Sequence, residues 1–242
     1  DVSGHGVEAA LIMAATKKAL QIHGQGAMSP KETLLAVNNS IKPEMPPGTF
    51  VSLFFAILDL KEQTLTCARA GHCPMLIFNG EANPRVKQSA PNGMVLGMAS
   101  NEVFAKSLSE ETVKVEAGDV MLLYTDGVSE ATNVSKEEFG EEGLVKAMQA
   151  MNGISASQVT EALEAEIFAF REGTAQDDDV TLVALRYMMK PEDSVLIRLV
   201  KPTVSATNLS APTTSFVGRE REIKELSNLL RDERLRLVTI TG

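Results

Sequence analysis

The chain of 242 residues has no tryptophan, only two cysteines and three histidines, and aromatic side chains make up 5% of it. Two cysteines are too few for a disulfide scaffold, and the chain lacks the Cys and His clusters that zinc sites use. We therefore interpret Cys67 and Cys73 as reduced thiols in a cytoplasmic chain. No apolar run approaches the about 20 residues of a membrane-spanning helix, so we expect no membrane span in this segment.

The charge balance is acidic, with 23 basic and 32 acidic side chains and a formal net charge of −9. A nucleic-acid-binding surface is basic and clustered, so this balance argues against nucleic acid as a partner. Hydrophobic residues make up 44% and charged residues 23%, which is typical of a globular protein and argues against wholesale disorder.

Composition divides the chain into three parts. Residues 1–188 carry regular apolar patterns, whereas residues 189–212 contain prolines among serine, threonine and alanine, which indicates a linker. Residues 213–242 regain a pattern, an amphipathic helix followed by a strand. The chain starts at Asp1 without an initiator methionine or a signal peptide, and its last strand is followed by one glycine. We therefore expect an interior piece of a longer polypeptide.

Within residues 1–188, strand-rich regions at both ends enclose a pair of helices. This layout predicts an α+β fold or a layered α/β/α design rather than a regular βαβ repeat. Apolar periodicity predicts helices at 7–23, 30–42, 137–151 and 155–171, and strands at 49–59, 63–69, 74–78, 111–116, 119–125 and 180–187.

Two of these helices carry start signals. Ser29 suits an N-cap, Pro30 suits the first helical position, and Glu32 at the third position completes the pattern of a capping box. Ser155 or Ser157 is expected to cap the last helix of residues 1–188.

Acidic residues recur where the predicted buried strands begin or end. Asp1 opens the glycine-rich segment DVSGHG, Asp126 ends a strand within YTDG, and Asp178 and Asp179 precede the strand VTLVALRY. Carboxylates brought together at strand ends repel one another, and no basic residue stands within these motifs to compensate. Hard oxygen ligands without a cysteine or multi-histidine cluster favour Mg²⁺ or Mn²⁺. The alternative is that these residues serve only turns, caps and a solvated loop.

Several motifs, in this order, carry a resemblance: DVSGHGVEAALIMA, TFVSLFFAILDL, ARAGHCPMLIF, GDVMLLYTDGVSEATN and QDDDVTLVALR. Together they resemble the SpoIIE-like branch of the PPM-type, metal-dependent serine/threonine protein phosphatases, over about residues 1–187. The resemblance implies an α/β/β/α sandwich with two Mn²⁺ or Mg²⁺ ions between two sheets. It also implies that a metal-activated water attacks a phosphoserine or phosphothreonine without a covalent intermediate.

The resemblance assigns roles to residues of this chain. Gly127 allows a close backbone approach at the site. The implied metal ligands are Asp1, the Val2 carbonyl, Asp126, Asp178 and Asp179. The family has a further metal aspartate in a Gly-Gly-Asp strand upstream of DVSGHG. Since this chain begins at Asp1, that ligand and its strand are expected to be lacking, which leaves the activity of this N-terminally truncated chain open.

The histidines have competing interpretations. His5 could donate a proton to the leaving seryl oxygen, or it could hydrogen-bond locally to hold its turn. His72, at a predicted strand end, is interpreted as part of a structural corner, and His23 as a surface residue at a helix end, where a cation favours the dipole.

A second resemblance lies in residues 213–242. TSFVGREREIKELSNLL and LRLVTITG are similar to the start of AAA-like or STAND-type signalling ATPases, where the segment leads into a phosphate-binding loop. No Gly-Lys-Ser/Thr motif occurs up to Gly242, so we expect no nucleotide site within these residues.

The leading hypothesis is a bacterial signalling phosphatase acting on a phosphorylated partner protein. By family analogy that partner is an anti-sigma-factor antagonist or a similar switch domain. Two rivals stay open: a non-catalytic interaction module with a phosphatase fold, and the front end of an ATPase regulator. A dimer is also left open.

Overall fold

A computed structural model describes residues 1–26, 29–79, 85–151, 154–175 and 178–188. The predicted linker, the predicted ATPase-like segment and Asp177 lie outside these described residues. The helices are α1 (Val7–His23), α2 (Pro30–Ile41), α3 (Asn101–Ser107), α4 (Asp126–Ser129), α5 (Gly140–Gln149) and α6 (Ala156–Arg171), with a 3₁₀ turn at Lys42–Glu44. The strands are β1 (Leu53–Asp59), β2 (Thr64–Ala70), β3 (Met75–Asn79), β4 (Val86–Ser89), β5 (Glu110–Lys114), β6 (Asp119–Tyr124) and β7 (Leu182–Arg186).

The strands form two antiparallel sheets. One has the order β1-β2-β5 and the other the order β4-β3-β6-β7. Alternation along β1 shows why the sheets stack: Phe55 faces a core shared with α1 and α2, whereas Phe54 faces a core shared with strands of the second sheet. The predicted α+β class is therefore confirmed.

Three apolar cores separate four layers. The first lies between α1–α3 and the three-stranded sheet, the second between the two sheets, and the third between the four-stranded sheet and α5–α6. Met75, Met121 and Tyr187 contribute to the middle core, and each is nearly inaccessible to solvent. The order of layers is helix, sheet, sheet, helix, which confirms the α/β/β/α sandwich.

The N-terminal caps of α2 and α6 differ in how far neighbouring residues supply them. Ser155 caps α6 in a complete capping box, because its hydroxyl accepts from the Gln158 N–H and the Gln158 amide oxygen accepts from the Ser155 N–H at 2.8 Å. At α2, Ser29 is the N-cap as predicted. There, however, the carboxylate of Glu110 in β5 accepts hydrogen bonds from Ser29 and from the Lys31 N–H.

Four elements differ from the prediction. The helix predicted at 137–151 begins at Gly140, because the Asn133 side chain binds the N–H groups of Ser135 and Glu137 and organises a turn before it. The short helices α3 and α4 and the strand β4 were not predicted. No helix among the described residues is long and apolar enough to span a bilayer.

The third core gives a test of fold stability. Leu163 on α6 is 0% exposed, whereas Phe168 on the same helix is 74% exposed. We expect Leu163→Ala to lower the free energy of unfolding by about 2–5 kcal/mol through cavity formation. The matched variant Phe168→Ala should change it by less than about 0.5 kcal/mol. Urea unfolding followed by circular dichroism measures both, and equal effects would contradict the assignment of this core.

Candidate metal centre

The end of β6 holds Asp126 in a fixed backbone setting. Thr125 is the N-cap of α4, and the Glu130 N–H donates to the Asp126 carbonyl at 2.8 Å. The Asp126 carboxylate accepts the N–H of Gly127 at 3.0 Å. The apolar strand thus ends in a one-turn helix that presents this carboxylate at the edge of the sheet.

Pairing between β6 and β7 continues beyond the strands and brings two further acidic residues, Asp178 and Asp179, to the same place. Thr125 donates its N–H to the Thr181 carbonyl at 3.2 Å, and its hydroxyl accepts from the Thr181 N–H at 2.9 Å. The same hydroxyl donates to the Asp179 carbonyl at 3.1 Å. Asp178 and Asp179 are thereby fixed beside Asp126.

Gly127 allows this approach because it has no side chain. A Cβ atom at this position would lie 3.0 Å from the carbonyl carbon of Asp179 and closer still to its oxygen. Real Cβ atoms are not found that near to a backbone carbonyl, so only glycine fits. We call the four residues Asp126, Gly127, Asp178 and Asp179 the acidic junction.

Asp1 lies at the same end of the sandwich, on a segment that pairs with the residues just before β1. Its segment runs antiparallel to residues 50–52: the Ser52 N–H donates to the Asp1 carbonyl at 2.8 Å, and the Ser3 N–H donates to the Phe50 carbonyl at 3.0 Å. In this pattern Val2 faces Val51 as a non-hydrogen-bonded pair, so the Val2 carbonyl points away from it.

Electrostatics link Asp1 to the acidic junction. Burial lowers the pKa of the Asp1 amino group, and the negative charge of Asp126 acts in the opposite direction. Negative charges also act on Glu130. The pKa of its carboxyl is raised, first by partial desolvation and then by the charges of Asp126, Glu138 and Asp178. Negative charge therefore accumulates at this end of the fold.

A cavity of about 180 Å³ lies on one side of the acidic junction. The charged residues among those that line it are Glu130, Glu138, Asp178 and Arg171. Glu130 was not among the sequence-predicted residues, although it follows Asp126 by four positions, a spacing that places two helical residues on one face.

The donors present are hard carboxylate oxygens, which suit Mg²⁺ and Mn²⁺ better than Zn²⁺. Among the residues that the structure describes, no three Asp, Glu, His or Cys side chains are grouped so as to hold one ion. The backbone thus brings Asp126, Asp178 and Asp179 together, while their carboxylates do not form a closed ligand set.

The remaining sequence-predicted residue, His5, is exposed in the loop before α1, where Gly4 and Gly6 have φ of 87° and 84°. Arg69, a candidate phosphate contact by its charge, instead donates to the carbonyls of Pro91 and His72 at 3.1 and 2.8 Å. It holds two loops together.

Comparison with known proteins identifies relatives of this fold. The family model of Stage II sporulation protein E (SpoIIE) matches residues 1–188. Protein IcfG of Synechocystis sp. is 31% identical over 137 residues, which cover 56% of this chain and 20% of that protein. The phosphoserine phosphatase RsbU of Bacillus subtilis is 26% identical over 187 residues, covering 77% of this chain and 53% of RsbU. The chain therefore spans about a fifth of the length of IcfG and about half of the length of RsbU.

Solved structures share the architecture. The SiaA-PP2C domain of Pseudomonas aeruginosa superposes with a TM-score of 0.67 at 20% identity, covering 77% of this chain and 73% of that one. The PP2C phosphatase domain of SpoIIE from Bacillus subtilis, with a fragment of its regulatory domain, gives 0.63 at 19% identity, covering 76% and 52%. At these identities the likeness is one of fold. Because the family model matches 188 of the 242 residues, the chain belongs to the Stage II sporulation protein E (SpoIIE) family.

Proposed function

We propose that this chain hydrolyses phosphoserine and phosphothreonine on a partner protein with the help of divalent cations, Mn²⁺ or Mg²⁺. The observation that carries the proposal is the acidic junction, where hydrogen bonds of the Thr125 hydroxyl and the absence of a side chain at Gly127 bring the backbone of Asp179 next to that of Gly127. Membership of the SpoIIE family and similarity to RsbU, a phosphoserine phosphatase, support it.

The residues of this chain divide the work in this proposal. Asp126 and Asp178, with Asp179 beside them, hold the cations, and Asp1 and the Val2 carbonyl approach from the other sheet. When bound, the cations supply a water of lowered pKa and neutralise the charge of the phosphoryl group. The chain contributes fixed carboxylates on a rigid sheet edge, which is where an ion site is held most firmly.

His5 is proposed as the proton donor to the leaving seryl oxygen. Its exposed position between two glycines places it where a protein substrate can reach it. A histidine titrates near neutral pH and is therefore suited to this step.

The partner is proposed to be a phosphorylated switch protein such as an anti-sigma-factor antagonist, in the cytoplasm of a bacterium. One solved structure with the same fold contains the RsbU and RsbW domains of Rv1364c from Mycobacterium tuberculosis, with a TM-score of 0.60. The proposed domain limits, 1–188, 189–212 and 213–242, follow composition, and the ATPase-like segment stays a prediction from its sequence.

A second candidate function is a non-catalytic interaction module. The observation that favours it is the open ligand set, since no three donor side chains within the described ranges are grouped around one position. Calorimetric titration with Mn²⁺ separates the candidates, in this chain and in one extended upstream of Asp1. The phosphatase proposal predicts heat of binding that Asp126→Asn abolishes. Absence of heat from both folded chains would support the interaction module.

Phosphate release tests the proposed reaction. In the chain extended upstream of Asp1, we expect Asp126→Asn to reduce Mn²⁺-dependent release from a serine-phosphorylated protein by more than about 100-fold, because even outer-shell partners of metals cost 10- to 100-fold. Asp59→Asn is the matched control: Asp59 lies at the far end of β1 and accepts from the N–H groups of Lys61 and Glu62, which an asparagine oxygen also does. Equal rates in the two variants would contradict the assignment of Asp126.

Gly127→Ala tests the backbone contact itself. The added methyl group would collide with the Asp179 carbonyl, so the β6–β7 ends must separate. We expect a loss of about 1–3 kcal/mol in the free energy of unfolding and weaker Mn²⁺ binding. Gly143→Ala, inside α5, is the control, since the atoms nearest to its Cβ belong to the Phe139 ring, at 3.3 Å, and not to a backbone carbonyl. Unfolding and calorimetry on both variants measure the difference, and an unchanged Mn²⁺ affinity in Gly127→Ala would show that the close approach is not needed.

A further inference from the structure

Ser52 stands directly opposite Asp1 in the pairing just before β1. The Asp1 amino group donates to the Ser52 carbonyl at 2.9 Å, and the Ser52 N–H donates to the Asp1 carbonyl at 2.8 Å. Residues of antiparallel segments that exchange both bonds carry their side chains on one face, with Cα atoms about 5.5 Å apart. The Ser52 side chain is therefore the direct cross-strand neighbour of the Asp1 side chain.

Alternation along the Ser52 segment shows which face this is. Val51 and Leu53, on either side of Ser52, are 1% and 2% exposed and pack in the core shared with the helices. Phe54, two residues after Ser52, packs in the core between the two sheets. Because residues i and i+2 of an extended segment share a face, the side chains of Ser52 and Asp1 are directed to the side of the second sheet.

The acidic junction lies within electrostatic range of this pair. Burial lowers the pKa of the Asp1 amino group, and the negative charge of Asp126 acts in the opposite direction. The same amino group is hydrogen-bonded to the Ser52 carbonyl. Ser52 and Asp1 on the first sheet and Asp126 on the second therefore border the same gap between the sheets.

The groups that border this gap differ in hydrogen-bonding character. The carboxylates of Asp1 and Asp126 only accept hydrogen bonds, whereas the negative oxygens of a phosphoryl group need donors. Arg69 shares the face of Ser52, since it lies opposite Phe54 in the β1–β2 pairing, but it donates through Nε and Nη1 to backbone carbonyls. Ser52 is half-buried, and its hydroxyl has no hydrogen-bond partner within the described ranges of the chain. Its proton is thus available to a ligand in the gap.

We propose that Ser52 contacts the substrate, with its hydroxyl donating a hydrogen bond to an oxygen of the phosphoryl group. This inference rests on the proposed function and adds a neutral donor to a site of acidic acceptors. A neutral donor suits this position, because a lysine or arginine beside Asp1 would pair with the carboxylate and compete with a divalent cation. Ser52 thereby orients the phosphoryl group, while Asp1 beside it approaches the cations.

Removal of the hydroxyl tests this contact in the chain extended upstream of Asp1. With Mn²⁺ and p-nitrophenyl phosphate as the probe, we expect Ser52→Ala to lower kcat/KM by about 10- to 100-fold, as for loss of a hydrogen bond to a charged group. The melting temperature should not change. Ser52→Thr keeps the hydroxyl and should retain most of the activity. The matched control is Ser40→Ala, since the Ser40 hydroxyl donates to the Ala36 carbonyl within α2, in the helical layer.

Calorimetry separates a substrate contact from an effect on Asp1. Ser52→Ala should weaken the binding of inorganic phosphate to the Mn²⁺-loaded chain by about 10-fold, while the affinity for Mn²⁺ stays that of the wild type. An equal loss of Mn²⁺ affinity would mean that the hydroxyl serves the Asp1 carboxylate instead, and it would overturn the proposal.

Two further results would contradict the contact. One is wild-type kcat/KM in Ser52→Ala, and the other is a loss in both Ser52 variants that follows the melting temperature. If the wild-type extended chain binds Mn²⁺ and inorganic phosphate but hydrolyses no p-nitrophenyl phosphate, the proposed function has failed. A phosphate affinity that depends on the Ser52 hydroxyl would then still support the contact, so the two failures can be told apart.

Discussion

The candidate site depends on backbone pairing that continues past the ends of β6 and β7. Thr125 and Thr181 bond to each other through main chain and hydroxyl, and the absence of a side chain at Gly127 lets the Asp179 carbonyl approach. The backbones of two acidic segments more than fifty residues apart in the chain are thereby held side by side. These hydrogen bonds hold Asp126, Asp178 and Asp179 at one end of the fold, where a divalent cation would offset the repulsion between their charges.

The sandwich explains why a second sheet contributes to the same place. Its middle core joins Phe54 of one sheet to Met75 and Met121 of the other, and stacked sheets lie about 10 Å apart. Residues at corresponding ends of the two sheets therefore face each other across a gap that side chains can span. Asp1 approaches from one side and Asp126 from the other. Rigid strands rather than a mobile loop set these positions.

Local signals predicted the layers well. Runs such as residues 119–125 are too apolar for one exposed face, and strict helical spacing marked α1 and α6, so these elements could be found from sequence alone. The Glu110 cap of α2 could not, because it comes from a strand that is distant in the chain. The helix α4 is only one turn long and is defined by its position after β6 rather than by periodicity.

The same distinction applies to the site. Asp126 and Asp178 could be singled out because each adjoins a buried strand, whereas the hydrogen bonds of Thr125 to Thr181 and Asp179 could not be foreseen until the pairing of β6 with β7 was known. Pairwise proximity at the acidic junction does not by itself make a metal site. Crystals soaked in Mn²⁺ and measured at its absorption edge test this most directly. The account predicts an anomalous peak between the carboxylates of Asp126 and Asp178. An ordered site with no peak, and with both carboxylates turned to solvent, would contradict it.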